Sequence, residues 1–156
     1  YIDTQFNQAS PFNVSSGTTV DLPNNAGLIT DNGAPIDDGT PVNFYDGTSI
    51  LGSENDLLSI TINLIVEAAT GGTFDIALFF DVTAGTGTPP QFAELSGNTF
   101  TYLSGNGVAR PLSYTAIAPV FPLWETNGAR VRIRPSTTCN FYSISYSIAR
   151  MYKSQL

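Results

Sequence analysis

The chain of 156 residues contains no histidine, one cysteine and one lysine. Without histidine it cannot build a serine–histidine or cysteine–histidine nucleophilic site, or the usual zinc sites. The lone Cys139 excludes an internal disulfide and a cysteine metal cluster, and we expect it to be a small core residue. Lys153 follows no glycine-rich phosphate loop. These absences favour a protein that is not an enzyme and that needs no cofactor or metal.

Positive charge is missing from most of the chain. All six basic residues lie from Arg110 onward, whereas Glu125 is the only one of the 13 acidic residues that follows Arg110. The net charge of −7 argues against binding to nucleic acid or to anionic membranes, because both require positive charge. No apolar run reaches the roughly 18–20 residues of a membrane span, so we expect no membrane insertion.

Short segments of alternating apolar and polar residues, separated by Gly, Pro, Asn and Asp, predict an all-β protein. The alternation is clearest in residues 57–68 and 73–82. Gly71-Gly72 provides a turn between these two segments, which predicts that they form the central hairpin. In the final segment, residues 140–152, the pattern predicts one face for Tyr142, Ile144, Tyr146 and Ile148.

Turn and proline signals organise the C-terminal third. Asn127-Gly128 predicts a hairpin turn that leads into the strand beginning near Arg130. Pro111 and Pro119 place the segment 109–121 at a sheet edge or give it bulges, because proline cannot donate a hydrogen bond to a neighbouring strand. The pattern predicts a two-sheet antiparallel jelly-roll sandwich of about eight to ten strands. We expect it to form a single domain over residues 1–156.

Carboxylates offer two further candidate sites. Asp75 and Asp81 share a strand face but lie roughly 20 Å apart along it, which is too far for paired acid–base catalysis. Asp31, Asp37-Asp38 and Asp46 lie in or near a loop that has the oxygen ligands calcium prefers. Their spacing matches no defined calcium loop, and Asp residues also initiate turns, so we interpret them as turn residues.

The arginine strand carries the clearest surface feature. Arg130, Arg132 and Arg134 alternate with Val131 and Ile133, so the arginines should project to one face and the apolar residues to the core. The arginines could form a solvated face. Alternatively, they could pair with acidic residues of the same fold or of a neighbouring copy, because the guanidinium group binds carboxylates through two parallel hydrogen bonds.

The final strand, with the sequence FYSISYSIARMY, follows an edge strand and an earlier pair of long strands. This arrangement resembles the trimeric jelly roll of the tumour-necrosis-factor and complement-globular-head type, over nearly the whole chain. In that fold the last strand lies centrally in the inner sheet, near the threefold axis. The resemblance implies a homotrimer in which Tyr142, Tyr146 and Tyr152 are subunit-interface or core positions. Arg130, Arg132 and Arg134 are the other residues predicted to contact a second subunit or a partner.

The surface composition is acidic, poor in lysine and rich in Thr, Ser, Asn and Gly. It resembles that of bacteriophage virion proteins such as capsid decoration proteins, head fibres and tail-fibre tips. The resemblance implies a structural protein of the virion surface, made in the host cytoplasm, whose partners are its own copies and other virion proteins such as the major capsid protein. The alternative is a carbohydrate-binding module or receptor-binding fibre tip, whose exposed aromatic side chains would stack on a host-surface glycan.

Overall fold

A computed structural model describes residues 1–22, 44–83, 98–104 and 106–152. The described residues form eight strands and one short helix. In chain order these elements are β1 (Phe12–Val14), β2 (Val20–Asp21), β3 (Leu57–Ala68), β4 (Gly72–Asp81), β5 (Asn98–Ser104), β6 (Ala109–Pro119), α1 (Pro122–Asn127), β7 (Arg130–Pro135) and β8 (Cys139–Tyr152). No helix within these ranges is long and apolar enough to cross a membrane.

The strands form two four-stranded antiparallel sheets, with the orders β1-β8-β3-β6 and β2-β7-β4-β5. The first strand pairs with the last, the second with the seventh, the third with the sixth and the fourth with the fifth. This nested pairing of eight strands in two sheets is a jelly roll. The predicted jelly-roll sandwich is therefore confirmed.

The prediction that β3 and β4 form a hairpin is wrong, because they belong to different sheets. Alternating residues on both strands are buried, among them Ile60 and Ile62 on β3 and Ile76 and Leu78 on β4. The two apolar faces therefore contribute to one core from opposite sheets. A period-two pattern shows which face of a strand is buried, but it does not distinguish a neighbour in the same sheet from one across the core.

The predicted hairpin at Asn127-Gly128 is also wrong, because residues Pro122–Asn127 form the helix α1. Pro122 occupies the start of the helix, where its missing N–H costs nothing. Trp124 is completely buried and donates its indole N–H to the carbonyl of Ile50 at 2.9 Å. Gly128 then ends the helix with a φ of 72°, a backbone conformation that glycine adopts readily.

Strand β6 lies at the edge of its sheet, as its two prolines predict. Pro111 lies opposite Ile65 and Pro119 lies opposite Leu57, and β3 is the only described strand that pairs with β6. The missing N–H groups therefore disturb the sheet less than they would in a central strand.

The strand face predicted for Tyr142 on β8 is wrong. The register between β3 and β8 shifts between Asn63 and Ile65, and Ser143 has a φ of 53°. This bulge inserts one extra residue into β8, so Tyr142 lies opposite Ile65 on the outer face, and Phe141 is completely buried on the inner face. Beyond the bulge the inward positions follow the prediction and are Ile144, Tyr146 and Ile148.

Candidate interface surfaces

The six predicted interface residues do not form one surface. Arg130, Arg132 and Arg134 lie on β7, in the sheet β2-β7-β4-β5, whereas Tyr142, Tyr146 and Tyr152 lie on β8, in the opposite sheet. Within β8 the tyrosines separate again. Tyr142 is buried on the outer side, Tyr146 is buried in the core, and Tyr152 is exposed at the end of the strand. Each group therefore has its own physical setting.

The outer side of the sheet β2-β7-β4-β5 carries most of the charge, and we call it the ionic face. It is defined by Asp21 on β2, Asp75 and Asp81 on β4, and Arg130, Arg132 and Arg134 on β7. The alternation in β7 is as predicted, because Val131 and Ile133 are buried and the three arginines are not fully buried. These charged side chains come from distant parts of the sequence, and the sheet places them side by side.

Arg132 lies between two carboxylates at the centre of the ionic face. Its Nε lies 2.9 Å from Oδ1 of Asp21 and 3.0 Å from Oδ2 of Asp81. The side chain of Arg132 is largely buried and that of Asp81 completely, whereas the side chain of Asp21 is 42% exposed. The cluster neutralises a carboxylate that could not remain charged alone in such a setting.

Asp81 receives further hydrogen bonds from the chain that follows β4. The backbone N–H and the hydroxyl of Thr83 donate to its Oδ1 at 2.8 and 2.7 Å. The side chain of Arg132 and the Thr83 bonds together hold the end of β4 against β7. The arrangement positions a strand end, with the guanidinium group of Arg132 lying between the carboxylates of Asp21 and Asp81.

The other two arginines of the stripe are more accessible. Nη1 of Arg130 lies 3.4 Å from Oδ2 of Asp21, and its side chain is 31% exposed. Arg134 is exposed and lies opposite Ala77 on β4. Two of the three stripe arginines therefore pair with acids of their own chain, which is one of the alternatives that the sequence left open. The predicted contact of the three arginines with a neighbouring copy stays a prediction, and Arg134 is the exposed one of the three.

The structure contains a second ion pair, at the end of the core, which was not predicted from the sequence. Arg150 lies on β8 opposite Leu58, and its Nη1 lies 3.4 Å from Oδ2 of Asp56. The side chains of Arg150 and Asp56 are only 6% and 2% exposed. The guanidinium carbon also lies 5.4 Å from the ring centre of Phe44, within the range of a cation–π contact. The sequence contains a signal for this buried arginine, because Arg150 continues the alternation that places Ile144, Tyr146 and Ile148 on the inner side of β8.

The outer side of β8, β3 and β6 contrasts with the ionic face, and we call it the neutral face. Successive rows across the three strands are Tyr152–Leu57–Pro119, Ala149–Ser59–Ile117, Ser147–Thr61–Thr115, Ser145–Asn63–Ser113, Tyr142–Ile65–Pro111 and Asn140–Glu67–Ala109. Glu67 is the only charged residue among these positions. Most of the others are small, and Ile117 and Tyr152 are large apolar side chains exposed to solvent.

The single carboxylate of the neutral face has a partner within the chain. The hydroxyl of Tyr142 donates to Oε1 of Glu67 at 2.6 Å. Burial, together with this hydrogen bond and the negative charge of Glu67, raises the pKa of Tyr142 to about 12. The uncharged tyrosine therefore stays on the face at neutral pH and shields Glu67.

Most of the aromatic side chains that could stack on a sugar ring are not exposed. Trp124 is completely buried, and Phe79, Tyr142 and Tyr146 are also buried. Tyr102 and Tyr114 are partly buried and pack against Phe74 and Phe80 of the core. Tyr152 is the exception among the large aromatic residues that the structure describes, because it is 59% exposed. One exposed ring gives no described platform on which a sugar chain could stack.

The calcium candidates Asp31, Asp37 and Asp38 lie outside the described residues. Asp46 is described, and its Oδ1 accepts hydrogen bonds from the backbone N–H groups of Thr48 and Ser49, both at 2.7 Å. Asp46 therefore forms the turn that the sequence predicts for it. Within residues 1–22, 44–83, 98–104 and 106–152, no three acidic or cysteine residues come close enough to hold a metal ion together.

No protein-family model matches the chain, and no curated protein matches it in sequence.

Proposed function

We propose that the protein is a non-enzymatic structural subunit of a virus particle, a homotrimer that decorates a capsid or forms the head of a fibre. The neutral face is the observation that carries the self-assembling part of this proposal. The acidic, lysine-poor composition, which resembles that of phage virion proteins, supports the assignment to a particle. Other virion proteins such as the major capsid protein are the further partners proposed.

The neutral face suits contact between copies because the chain has a net charge of −7. A net negative charge opposes the association of identical chains, whereas the neutral face presents one carboxylate, which accepts a hydrogen bond from Tyr142. Small side chains also allow a neighbouring copy to approach the face closely, and they lose little rotamer freedom on burial. A second copy of the chain is therefore a better occupant of this face than a charged partner.

The neutral face supplies a large part of the area that a specific contact needs. From Leu57 to Glu67 it runs roughly 33 Å along β3, at about 3.3 Å per residue, and it is three strands wide. At about 4.8 Å per strand its area is roughly 470 Å², more than half of the ~800 Å² that each partner contributes to a standard interface. Ile117, Met151 and Tyr152, all more than half exposed, supply large apolar side chains near one end of the face.

Light scattering on a sizing column tests this proposal directly. The expected result is a mass that is a multiple of three times 16.6 kDa. The substitution Ile117→Asp places a charge on the neutral face and should lower the mass to that of smaller species. Leu123→Asp is the matched control, because Leu123 is 44% exposed on the helix α1, outside the neutral face.

A wild-type monomer at micromolar concentration would contradict the homotrimer. Association with a particle is a separate question, which co-sedimentation of the protein with capsids of the same virus addresses. Binding at a stoichiometry of three chains per site is the expected outcome, and the absence of binding would contradict the proposed virion role.

A further inference from the structure

The two sheets end in four edge strands, and three of these carry features that discourage pairing with another chain. β1 has three residues and β2 has two, which is too short to offer a long row of hydrogen-bonding groups. β6 contains Pro111 and Pro119. Short edge strands and prolines are common ways in which proteins avoid edge-to-edge association.

β5 lacks these features. Its seven residues, NTFTYLS, contain no proline and no charged side chain, and they favour a strand because Thr, Phe and Tyr suit a pleated surface. β5 pairs with β4 on one side, and no strand in the described part of the chain pairs with it on the other. An edge strand of this length, without proline or charge, is a template for a further strand.

The sequence of β5 is complementary to itself when two copies run antiparallel about Thr101. In that register Thr101 faces Thr101 of the second copy, Phe100 faces Tyr102, and Thr99 faces Leu103. Phe100 and Tyr102 already pack on the core side, against Tyr114 and Phe74. The pairing therefore places aromatic residues opposite aromatic residues on the core side. It also gives Leu103, which is 76% exposed, an apolar methyl neighbour on the outer side.

We propose that β5 of one copy pairs antiparallel with β5 of a second copy about a twofold axis at Thr101, which joins two four-stranded sheets into one of eight strands. Because the two edges are the same surface, the contact closes on itself and adds no third chain. A second copy is favoured over another extended partner because a single register places compatible side chains opposite each other in all three residue pairs. The contact uses the sheet opposite the neutral face, so it does not rest on the proposed function.

Electrostatic repulsion does not oppose this contact. Among the described residues Asp75 is the nearest carboxylate, opposite Thr101 on β4, and it accepts a hydrogen bond from the Thr101 hydroxyl at 2.7 Å. In the paired sheet the two Asp75 residues are three strand spacings apart, about 14 Å. That separation exceeds the Debye length of about 8 Å at physiological salt.

Cysteine cross-linking tests the proposed register. Opposed residues of an antiparallel pair have a Cα separation that suits a disulfide, so Thr101→Cys should form a disulfide-linked species of twice 16.6 kDa on a non-reducing gel. The native Cys139 is completely buried and should not interfere. Thr48→Cys is the matched control, an exposed threonine in the turn around Asp46. The proposal is overturned if Thr101→Cys remains a single chain, as Thr48→Cys is expected to do.

A second variant tests the contact without a covalent bond. Thr101→Lys places two like charges directly opposite each other, which destabilises strand pairing, and Thr101 is exposed, so the folded chain should accept lysine. The native mass should fall by half, from six chains to three if the homotrimer exists or from two chains to one if it does not. An unchanged mass for a folded Thr101→Lys variant overturns the edge contact. If that unchanged mass is the mass of three chains, the edge contact is wrong and the homotrimer is still supported.

Discussion

The two outer faces of the sandwich differ in how many charged residues they carry. The ionic face gathers six charged residues, and Arg132 at its centre contacts carboxylates from two other strands. The neutral face of the opposite sheet has eighteen positions in six rows and one charged residue, Glu67, which already accepts a hydrogen bond from Tyr142. The difference indicates that the arginines hold the strands of one chain together, whereas the neutral face is suited to contact between chains.

This contrast also explains the uneven distribution of charge along the sequence. Arg130, Arg132 and Arg150 belong to the C-terminal third, and they pair with Asp21, Asp56 and Asp81 from the first two-thirds. The jelly roll makes this possible because it pairs late strands with early ones, β7 with β2 and β8 with β3. Charges separated in the sequence are therefore neighbours in the fold.

The largest effect should come from the centre of the ionic face. Arg132→Ala leaves Asp81, which is completely buried, without its positive partner. Removing one member of a buried ion pair costs about 3–5 kcal/mol of unfolding free energy. Chemical denaturation measures this cost. Arg134→Ala, an exposed arginine on the same strand, is the control and should change stability by no more than about 0.5 kcal/mol. Equal effects of the two variants would contradict the intrachain role of Arg132.

Arg150 should show a similar effect at the end of the core. Arg150→Met removes the partner of the buried Asp56 and should cost about 3 kcal/mol. The double variant Arg150→Met with Asp56→Asn should be more stable than Arg150→Met alone, because the unpaired charge is gone while the amide oxygen can still accept the Ser53 N–H. A double-mutant cycle in chemical denaturation checks this, and simple additivity of the two changes would contradict it.

A smaller effect is expected on the neutral face. Tyr142→Phe removes the hydrogen bond to Glu67 and should cost about 1.5–3 kcal/mol, the range for a bond to a charged group. Tyr152→Phe is the matched control, because Tyr152 is exposed at the end of the same strand. Denaturation curves for the two variants should separate clearly. If Tyr142→Phe is as stable as Tyr152→Phe, the shielding of Glu67 does not stabilise the fold.

The last expected effect is a change in alkaline stability. The pKa of Tyr142 is raised from 10.0 to about 12 in the folded chain, so the unfolded chain loses this proton first as the pH rises. The stabilisation is therefore complete below pH 10 and is lost progressively toward pH 12. Tyr142→Phe should lose less stability than the wild type over this range, as measured by denaturation midpoints. Parallel pH profiles for the two proteins would contradict this linkage.

Strict alternation made several features predictable from the sequence. The outward phase of the arginines on β7 followed from the buried Val131 and Ile133 between them, and the edge position of β6 followed from its prolines. Tyr142 could not be assigned to a face in the same way. A bulge at Ser143 changes which face the alternate residues of β8 occupy, and no residue in this segment predicts a bulge. Local sequence determines an alternation but does not reveal where the pairing register shifts.

The partners of the charged residues were not predictable either. Asp21 is 111 positions from Arg132, and only the pairing of β2 with β7 brings them together. The helix α1 was missed for a related reason, since Trp124 is held by a bond to Ile50 that is 74 positions away. Both features depend on long-range packing. At α1 this packing overrides the local preference of Asn-Gly for a hairpin turn.

The central claim is that the neutral face is covered by other copies of the chain. Ser147→Cys places one thiol in the middle of this face, and Thr48→Cys places one in an exposed turn, while Cys139 remains buried. Alkylation rates of the two thiols should be measured at concentrations where the wild-type protein is assembled. The account predicts that Ser147→Cys reacts at least about tenfold more slowly than Thr48→Cys and that dilution to the monomer removes the difference. Equal rates at high concentration would contradict the claim.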